Sequence, residues 1–208
     1  MVKKDVTSDK PERTAEKLLR VAARLFRQHG YAATSTQQLA TELGLQKGSL
    51  YHHIEKKEEL LYLICMDALM HIQLAVEKAI EPISDPGDRL RTLIRAHTCT
   101  ALDDQDKFAT ALLDNRELSD ENKSTIMELH DYYEGVVQEV IRACQEAGIV
   151  RRDTAPRQLT LFLLSMMNFT AFWYRPDGKL TPDDLADQFI QQFLQGAGVP
   201  LCDDAPHP

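Results

Sequence analysis

The chain has 208 residues, 43% hydrophobic and 27% charged, which is ordinary for a soluble globular protein with a substantial core. It contains no run of about 18 apolar residues, and residues 1–10 lack the apolar centre of a signal peptide. We therefore expect a cytoplasmic protein without a membrane span, although the net charge of −8 argues at first against a nucleic-acid partner.

The distribution of the charge along the chain removes the objection to a nucleic-acid partner. Residues 1–60 carry 11 Lys and Arg against 8 Asp and Glu, a net charge of +3. The remaining residues carry 13 against 24, a net charge of −11. With this distribution the basic N-terminal segment could contact the phosphates of a duplex, while the acidic remainder of the chain would be repelled by them.

Apolar residues three and four positions apart recur along most of the chain, whereas β-branched runs with a period of two are hard to find. We therefore predict an all-α fold of about nine helices. After a flexible arm (residues 1–10), the first helix begins near Pro11 and ends at Gly30. The second begins at Ser35, which has capping-box spacing to Gln38, and a short third helix covers residues 47–54.

Longer helices are predicted over the rest of the chain, at residues 57–80, 88–102, 107–113, 120–147, 156–174 and 182–195. We place a first domain at residues 11–56, a second domain at 57–198, and a disordered tail at 199–208. The four cysteines lack metal-ligand spacing and are interpreted as small buried hydrophobic residues, so neither a metal nor a cofactor is expected. They are Cys65, Cys99, Cys144 and Cys202.

Two short helices joined by a glycine turn are typical of a helix-turn-helix, whose second helix enters the major groove of DNA. Gly48 would let that helix approach the bases closely, and the Lys57 amine and neighbouring helix amides could meet a phosphate. The alternative is that these polar residues form only a solvated surface. The candidate DNA-binding residues are Ser35, Thr36, Gln37, Gln46, Lys47, Gly48, Ser49, Tyr51, His52, His53 and Lys57.

The order and spacing of the residues in this segment point to a known family. The matching positions are Gly30, Tyr31, Ala32, Ala33, Thr34, Ser35, Leu39, Ala40, Leu43, Gly44, Leu45, Gly48, Ser49, Leu50, Tyr51, His52, His53, Lys57, Glu58, Glu59 and Leu60. Together they resemble the DNA-binding signature of TetR-type repressors.

The resemblance implies a role for each matching position. Ser35 would cap the second helix beside a phosphate, the positions of Gln37, Lys47 and Ser49 would reach bases, and those of Tyr51, His53 and Lys57 would hold the DNA backbone. Three positions depart from the family pattern. Ile54 stands in place of Phe, Gln46 in place of a capping Ser or Thr, and Thr36 in place of an aliphatic residue.

The resemblance also implies that residues 11–56 are the DNA-binding domain. It implies that residues 57–198 are an effector-binding and dimerisation domain, a helical body that binds a small effector and forms a homodimer. Residues 156–174 are apolar nearly all round, so one side would line the protomer core and the other a partner subunit. A monomer in which both sides pack internally is the alternative. The predicted dimer residues are Leu159, Phe162, Leu163, Met166, Trp173, Leu185, Phe189 and Phe193.

Polar residues on apolar helix faces are the candidates for the effector site, although each can equally be a satisfied core group. They are His97, Arg116, Tyr133, Ser165 and Asn168, with Met166 as a flexible apolar contact. Residues 173–181 are similar to a segment of actinobacterial repressors of cholesterol-ring catabolism. That similarity implies an acyl-CoA or another hydrophobic carboxylate as the effector.

The sequence therefore predicts an effector-responsive dimeric repressor that binds a near-palindromic double-stranded operator. A DNA-binding regulator or architectural protein without an effector is the alternative. An enzyme is not expected, because neither His52 and His53 with Glu55, nor His97 with Cys99, has a third catalytic partner.

Overall fold

The computed structural model describes residues 9–52 and 54–198, and within these ranges it contains helices and no strand. The all-α prediction is confirmed. In chain order the helices are α1 (Asp9–His29), α2 (Thr36–Glu42), α3 (Lys47–Leu50), α4 (Lys57–Ile80), α5 (Pro86–Asp103), α6 (Gln105–Leu113), a 3-10 helix (Asn115–Glu117), α7 (Asp120–Glu146), α8 (Pro156–Asn168), α9 (Thr170–Trp173) and α10 (Pro182–Gly198).

Two predicted helices differ clearly from the observed ones, and the ends of the others shift by at most three residues. The helix expected at residues 156–174 is broken at Phe169, and next to the break the Thr170 hydroxyl donates to the Met167 carbonyl at 2.5 Å. Counted as one broken helix, α8 and α9 bring the total for the described part of the chain to the predicted nine. The helix expected at 47–54 ends at Leu50, and Tyr51 and His52 form a turn.

Several sequence predictions fall outside the described residues. They concern residues 1–8 of the predicted arm, His53, the predicted tail at 199–208, and Cys202 within it. Residues 9 and 10, assigned to the arm, belong to α1.

The chain divides into two compact units. The first contains the described residues up to Leu69 together with Asp104–Ile126. Phe26, Leu39 and Leu50 are almost completely buried in its core. The Thr110 hydroxyl donates to the Ala23 carbonyl at 3.2 Å and joins α6 to α1. The predicted functional boundary at residue 56 stays a prediction.

The second unit contains Met70–Asp103 and the described residues from Met127 onward. Arg95 joins α5 to α10, because its guanidinium pairs with Asp183 at 2.6 Å and also with Asp187. Leu90, Leu93, Ile94, Ile141 and Leu163 are fully buried in the core of this unit. These buried faces fix the positions of α5, α7 and α8.

Helix α4 bears on the prediction that the chain has no membrane span. Within the described residues it is long and apolar enough to cross a membrane by length and composition, with a mean hydropathy of 1.5. Core helices pass the same test, and here Leu60, Leu61 and Ile64 are fully buried among other helices. Asp67 in the middle of α4 pairs with the Lys107 ammonium at 2.7 Å. The N-terminal half of α4 therefore packs in the core of the first unit, while 39% of the apolar stretch as a whole is buried.

Two of the cysteines behave as the buried hydrophobic residues that the sequence predicts. Cys65 and Cys144 are buried, and Cys99 is half-buried. Burial raises the pKa of the Cys65 thiol to about 12 and that of the Cys144 thiol to about 11. Both thiols therefore stay protonated and unreactive at neutral pH.

Candidate nucleic-acid interface

The start of α2 is fixed by the capping box that the sequence predicts. The Ser35 hydroxyl accepts from the Gln38 backbone N–H at 3.2 Å, and the Gln38 side-chain oxygen accepts from the Ser35 N–H at 2.7 Å. Gly44 ends the α2 region with a φ of +68°, a left-handed conformation that favours glycine. The turn directs the chain into α3.

The two helices bury one side and expose the other. Leu39, Ala40 and Leu50 are fully buried. The candidate side chains Gln37, Gln46 and Lys47 are exposed, and so is Gly48, whereas Ser49 is half-buried. A β-carbon built on Gly48 would meet no protein atom within 4 Å, so nothing in the fold itself requires glycine there. A polar, open helix start of this kind is what major-groove contact needs.

Tyr51 connects the end of α3 to the start of α2. Its side chain is 46% exposed, and its hydroxyl lies 3.3 Å from the Thr36 hydroxyl. Thr36, which stands at a usually aliphatic position, therefore has a polar partner at the surface. Gln46 makes no side-chain cap at the start of α3, as its departure from the family pattern predicts. His52 is exposed next to Tyr51.

Lys57 makes contacts within the protein that the sequence did not predict. Its ammonium donates to the Tyr31 carbonyl at 2.7 Å and to the Thr34 carbonyl at 2.9 Å. The nitrogen also lies 4.1 Å from the centroid of the Tyr31 ring. Partial burial lowers the pKa of Lys57. Sequence reasoning missed these contacts because the acceptors are backbone atoms more than twenty residues away.

In the second unit the structure brings three predicted effector residues together. His97 is buried, and its Nδ1 lies 2.8 Å from the Tyr133 hydroxyl, with the rings stacked at 5.7 Å. Burial lowers the pKa of His97 to about 4, and a hydrogen bond with Asn168 partly opposes that shift. Burial also raises the pKa of Tyr133. Sequence reasoning missed Thr98, which is fully buried beside His97.

The other effector candidates lie elsewhere in their own units. Arg116 is exposed on the 3-10 helix of the first unit, 3.8 Å from Glu117. Ser165 is exposed. Met166 lines a cavity of about 330 Å³ with Phe162 and Phe193. Among the described residues no cluster of His, Cys, Asp and Glu is arranged to hold a metal.

The predicted dimer residues differ in exposure. Leu159, Leu163, Leu185, Phe189 and Phe193 are buried within the protomer, and Met166 is half-buried. Their assignment to a dimer interface stays a prediction. By contrast, Phe162 is 59% and Trp173 is 45% exposed, and Phe169 on the same helical stripe is 63% exposed.

The fold and the exposed α2–α3 surface define a helix-turn-helix DNA-binding regulator. Residues 18–62 match the family described as bacterial regulatory proteins of the tetR family. Residues 84–197, more than half of the chain, match the tetracyclin repressor-like C-terminal domain. The chain belongs to the TetR family of transcriptional regulators.

Individual relatives agree with this assignment. The transcriptional repressor KstR2 of Rhodococcus jostii is 28% identical over 198 residues, which cover 94% of this chain and 96% of the relative. The structure of PfmR from Thermus thermophilus is 36% identical with a TM-score of 0.80, covering 86% of this chain and 97% of that one. AibR, solved with isovaleryl coenzyme A and operator DNA, is 27% identical with a TM-score of 0.77 and the same coverage of both chains.

Proposed function

We propose that the chain is a cytoplasmic, dimeric repressor that binds a near-palindromic operator and is released by an acyl-CoA or another hydrophobic carboxylate. Residues 11–56 would form the DNA-binding domain and residues 57–198 the effector-binding and dimerisation domain. The observation that carries the DNA-binding part is the capped α2–α3 pair, with its polar side chains exposed and its apolar ones buried.

In this proposal the exposed start of α3 enters the major groove. Lys47 and Ser49, with Gln37 from α2, reach base edges. The phosphates are held by Ser35, Tyr51 and Lys57. The open space around Gly48 supports the assignment, because a glycine that the fold does not require is consistent with close approach by a partner. Thr36, Gln46 and His52 border this surface, and His53 belongs to the same proposed set.

The effector part of the proposal rests on the buried polar group of the second unit. His97 is 2% exposed and its Nδ1 lies within hydrogen-bond distance of the Tyr133 hydroxyl, and a few polar groups held at a buried position are typical of ligand sites. AibR was solved in complex with isovaleryl coenzyme A. That complex supports an acyl-CoA as the class of effector for this chain, and a hydrophobic carboxylate is the related alternative.

The dimer part rests on the exposed aromatic stripe of α8 and α9, which we define as Phe162, Phe169 and Trp173. Large aromatic side chains are enriched in the centres of interfaces, and a twofold axis would pair the stripe with its own copy. Two recognition helices held about 34–36 Å apart by such a dimer reach successive major grooves.

The experiment is a selection of duplexes from a random library by the wild-type protein, followed by gel-shift titration of the selected operator with acyl-CoA thioesters. We expect a near-palindromic operator and weaker operator binding in the presence of at least one thioester, because an effector that prefers another conformation lowers DNA affinity by linkage. His97→Leu should reduce that response while leaving DNA binding intact. Operator binding that no thioester changes would favour the regulator or architectural protein without an effector of this class.

A further inference from the structure

A cavity of about 330 Å³ opens in the second unit, between α8, α10 and the connection (residues 147–155) that joins α7 to α8. Apolar side chains form most of its lining. Helix α8 contributes residues three and four positions apart, which share one face of a helix. These residues are Leu159, Phe162 and Met166, and α10 contributes Phe193 and Ala197. The cavity can therefore shelter an apolar chain from water.

The connection between α7 and α8 gives the cavity a polar end, because Arg151 and Thr154 line it. The Arg151 backbone N–H donates to the Ala197 carbonyl at 2.8 Å and joins the connection to the last turn of α10. The buried Gln145 amide donates to the Arg151 and Thr154 carbonyls at 2.7 and 2.8 Å. These hydrogen bonds hold the polar end in place before any ligand binds.

The Arg151 guanidinium supplies a positive charge at this end. Its side chain is 19% exposed, and Nε and Nη2 donate to the two carboxylate oxygens of Asp153. The Asp153 side chain is 64% exposed, so solvent screens this pair. No described residue accepts from the other terminal nitrogen, Nη1, which has two further N–H groups. A second carboxylate can therefore bind this mostly buried cation.

The volume of the cavity limits the size of the ligand. A water molecule takes up about 30 Å³ in the liquid, and small non-hydrogen groups need a similar space. The cavity therefore has room for roughly ten non-hydrogen atoms, about the size of octanoate. Its volume lies at the lower end of the range for small-molecule sites.

We propose that this cavity binds a medium-chain carboxylate, with the alkyl chain between α8 and α10 and the carboxylate on the Arg151 guanidinium. The inference goes beyond the proposed function, because His97, Tyr133 and Asn168 are not among the described residues that line the cavity. Binding there needs neither the operator nor a dimer. The apolar walls select the chain, and the cation distinguishes an acid from an alcohol of the same length.

The first test measures the binding of octanoate and octan-1-ol to the wild-type protein and to Arg151→Met by isothermal titration calorimetry without DNA. Methionine keeps an apolar stem and removes the charge, while the exposed Asp153 stays hydrated. We expect Arg151→Met to weaken octanoate binding on the order of tenfold and to leave octanol binding unchanged. Unchanged octanoate affinity in Arg151→Met would overturn the proposal.

Arg157→Met is the matched control for this charge. The Arg157 side chain is 70% exposed and pairs with Glu134, and it does not line the cavity. We expect this variant to bind octanoate like the wild type. An equal loss in Arg157→Met and Arg151→Met would show a general effect of net charge and contradict a specific contact with Arg151.

The second test narrows the cavity with Met166→Trp, because Met166 lines it and tryptophan is larger. Both octanoate and octanol should then bind more weakly. Met127→Trp is the control, since Met127 is 61% exposed on α7 and is not a lining residue. Wild-type affinity for both ligands in Met166→Trp would contradict the location of the site. This test retains its value if circular dichroism shows that Arg151→Met is unfolded.

Phe162 connects the cavity to the proposed dimer, because it lines the cavity and belongs to the aromatic stripe. A second copy of the chain is therefore the competing occupant. Phe169→Asp, which alters the stripe outside the cavity lining, distinguishes the two. Equal octanoate affinity in Phe169→Asp and the wild type supports the ligand site. Binding by Phe169→Asp alone would assign the cavity to the second copy and overturn the proposal.

Absence of octanoate binding in both the wild type and Phe169→Asp would also overturn it. Because these titrations contain no DNA, they are independent of the proposed function. A wild-type protein that selects no operator but binds octanoate through Arg151 would contradict the proposed repressor and support this site.

Discussion

Gly48 is a glycine that the fold does not require, so close approach of a binding partner is a physical reason for its presence. A β-carbon at this position would point into open space, and the backbone is not in the left-handed region. Alanine is favoured over glycine in helices, because glycine loses more backbone entropy on folding. Selection for folding alone would therefore favour alanine at this position.

We predict that Gly48→Ala raises the free energy of unfolding by roughly 0.4–1 kcal/mol and weakens operator binding. Gly135 in α7 provides a matched control, because it too is an exposed helical glycine at which an added methyl group would meet no atom within 4 Å. Gly135→Ala should give a similar gain in stability without a change in operator affinity. Urea unfolding and gel-shift titration measure the two quantities, and unchanged DNA binding in Gly48→Ala would contradict the assigned close approach.

His97 makes stability depend on pH. Its pKa is about 4 in the folded protein, against an ordinary value of 6.5, so the unfolded chain takes up a proton that the folded one does not. The stabilisation is complete above pH 6.5 and is lost as the pH falls toward 4. The predicted loss in unfolding free energy is on the order of 3 kcal/mol over this range.

His97→Gln should remove this dependence, because glutamine does not titrate and keeps a polar group beside Tyr133. His130, whose pKa burial also lowers, remains in the variant and accounts for the background. Urea unfolding at pH 7.5 and pH 5, at one protein concentration, compares the two proteins. If the free energy of unfolding changes equally between the two pH values in both proteins, His97 is not the cause of the pH dependence.

At the scale of helices, the sequence predicted the elements better than the sides they bury. The end of α1 and the bounds of α4 agree with the capping and breaking signals, because those signals are local. The break at Phe169 was missed, since no glycine or proline marks it in the sequence. The periodicity showed that α8 is apolar all round, but only packing distinguishes buried Leu163 from exposed Phe162.

The exposed stripe of α8 and α9 gives a prediction about assembly. Phe169→Asp should weaken the proposed dimer by roughly 30-fold, because a charge replaces a large aromatic contact. Leu74→Glu is the control, since Leu74 is 57% exposed on α4, outside the stripe. Sedimentation velocity over a concentration series measures both. A Phe169→Asp protein that dimerises like the wild type would exclude the stripe as the interface.

At the scale of the whole chain, sequence reasoning recovered the class of protein but not all of the contacts within it. The α2–α3 signature is local, so the residues proposed to meet DNA were identified from their spacing. The carbonyl contacts of Lys57 and the grouping of Asp104–Ile126 with the N-terminal helices depend on contacts between distant parts of the chain. A local sequence pattern does not contain such contacts, because many packings share the same periodicity.

The central claim is that the exposed start of α3 reads an operator sequence. The direct measurement is the affinity of wild-type protein and Lys47→Ala for the selected operator and for a scrambled duplex at one salt concentration. We predict that the wild type prefers the operator, and that Lys47→Ala loses part of that preference, by about 1–3 kcal/mol for a base contact. Equal affinity of the wild-type protein for the operator and the scrambled duplex, or an unchanged preference in Lys47→Ala, would contradict the claim.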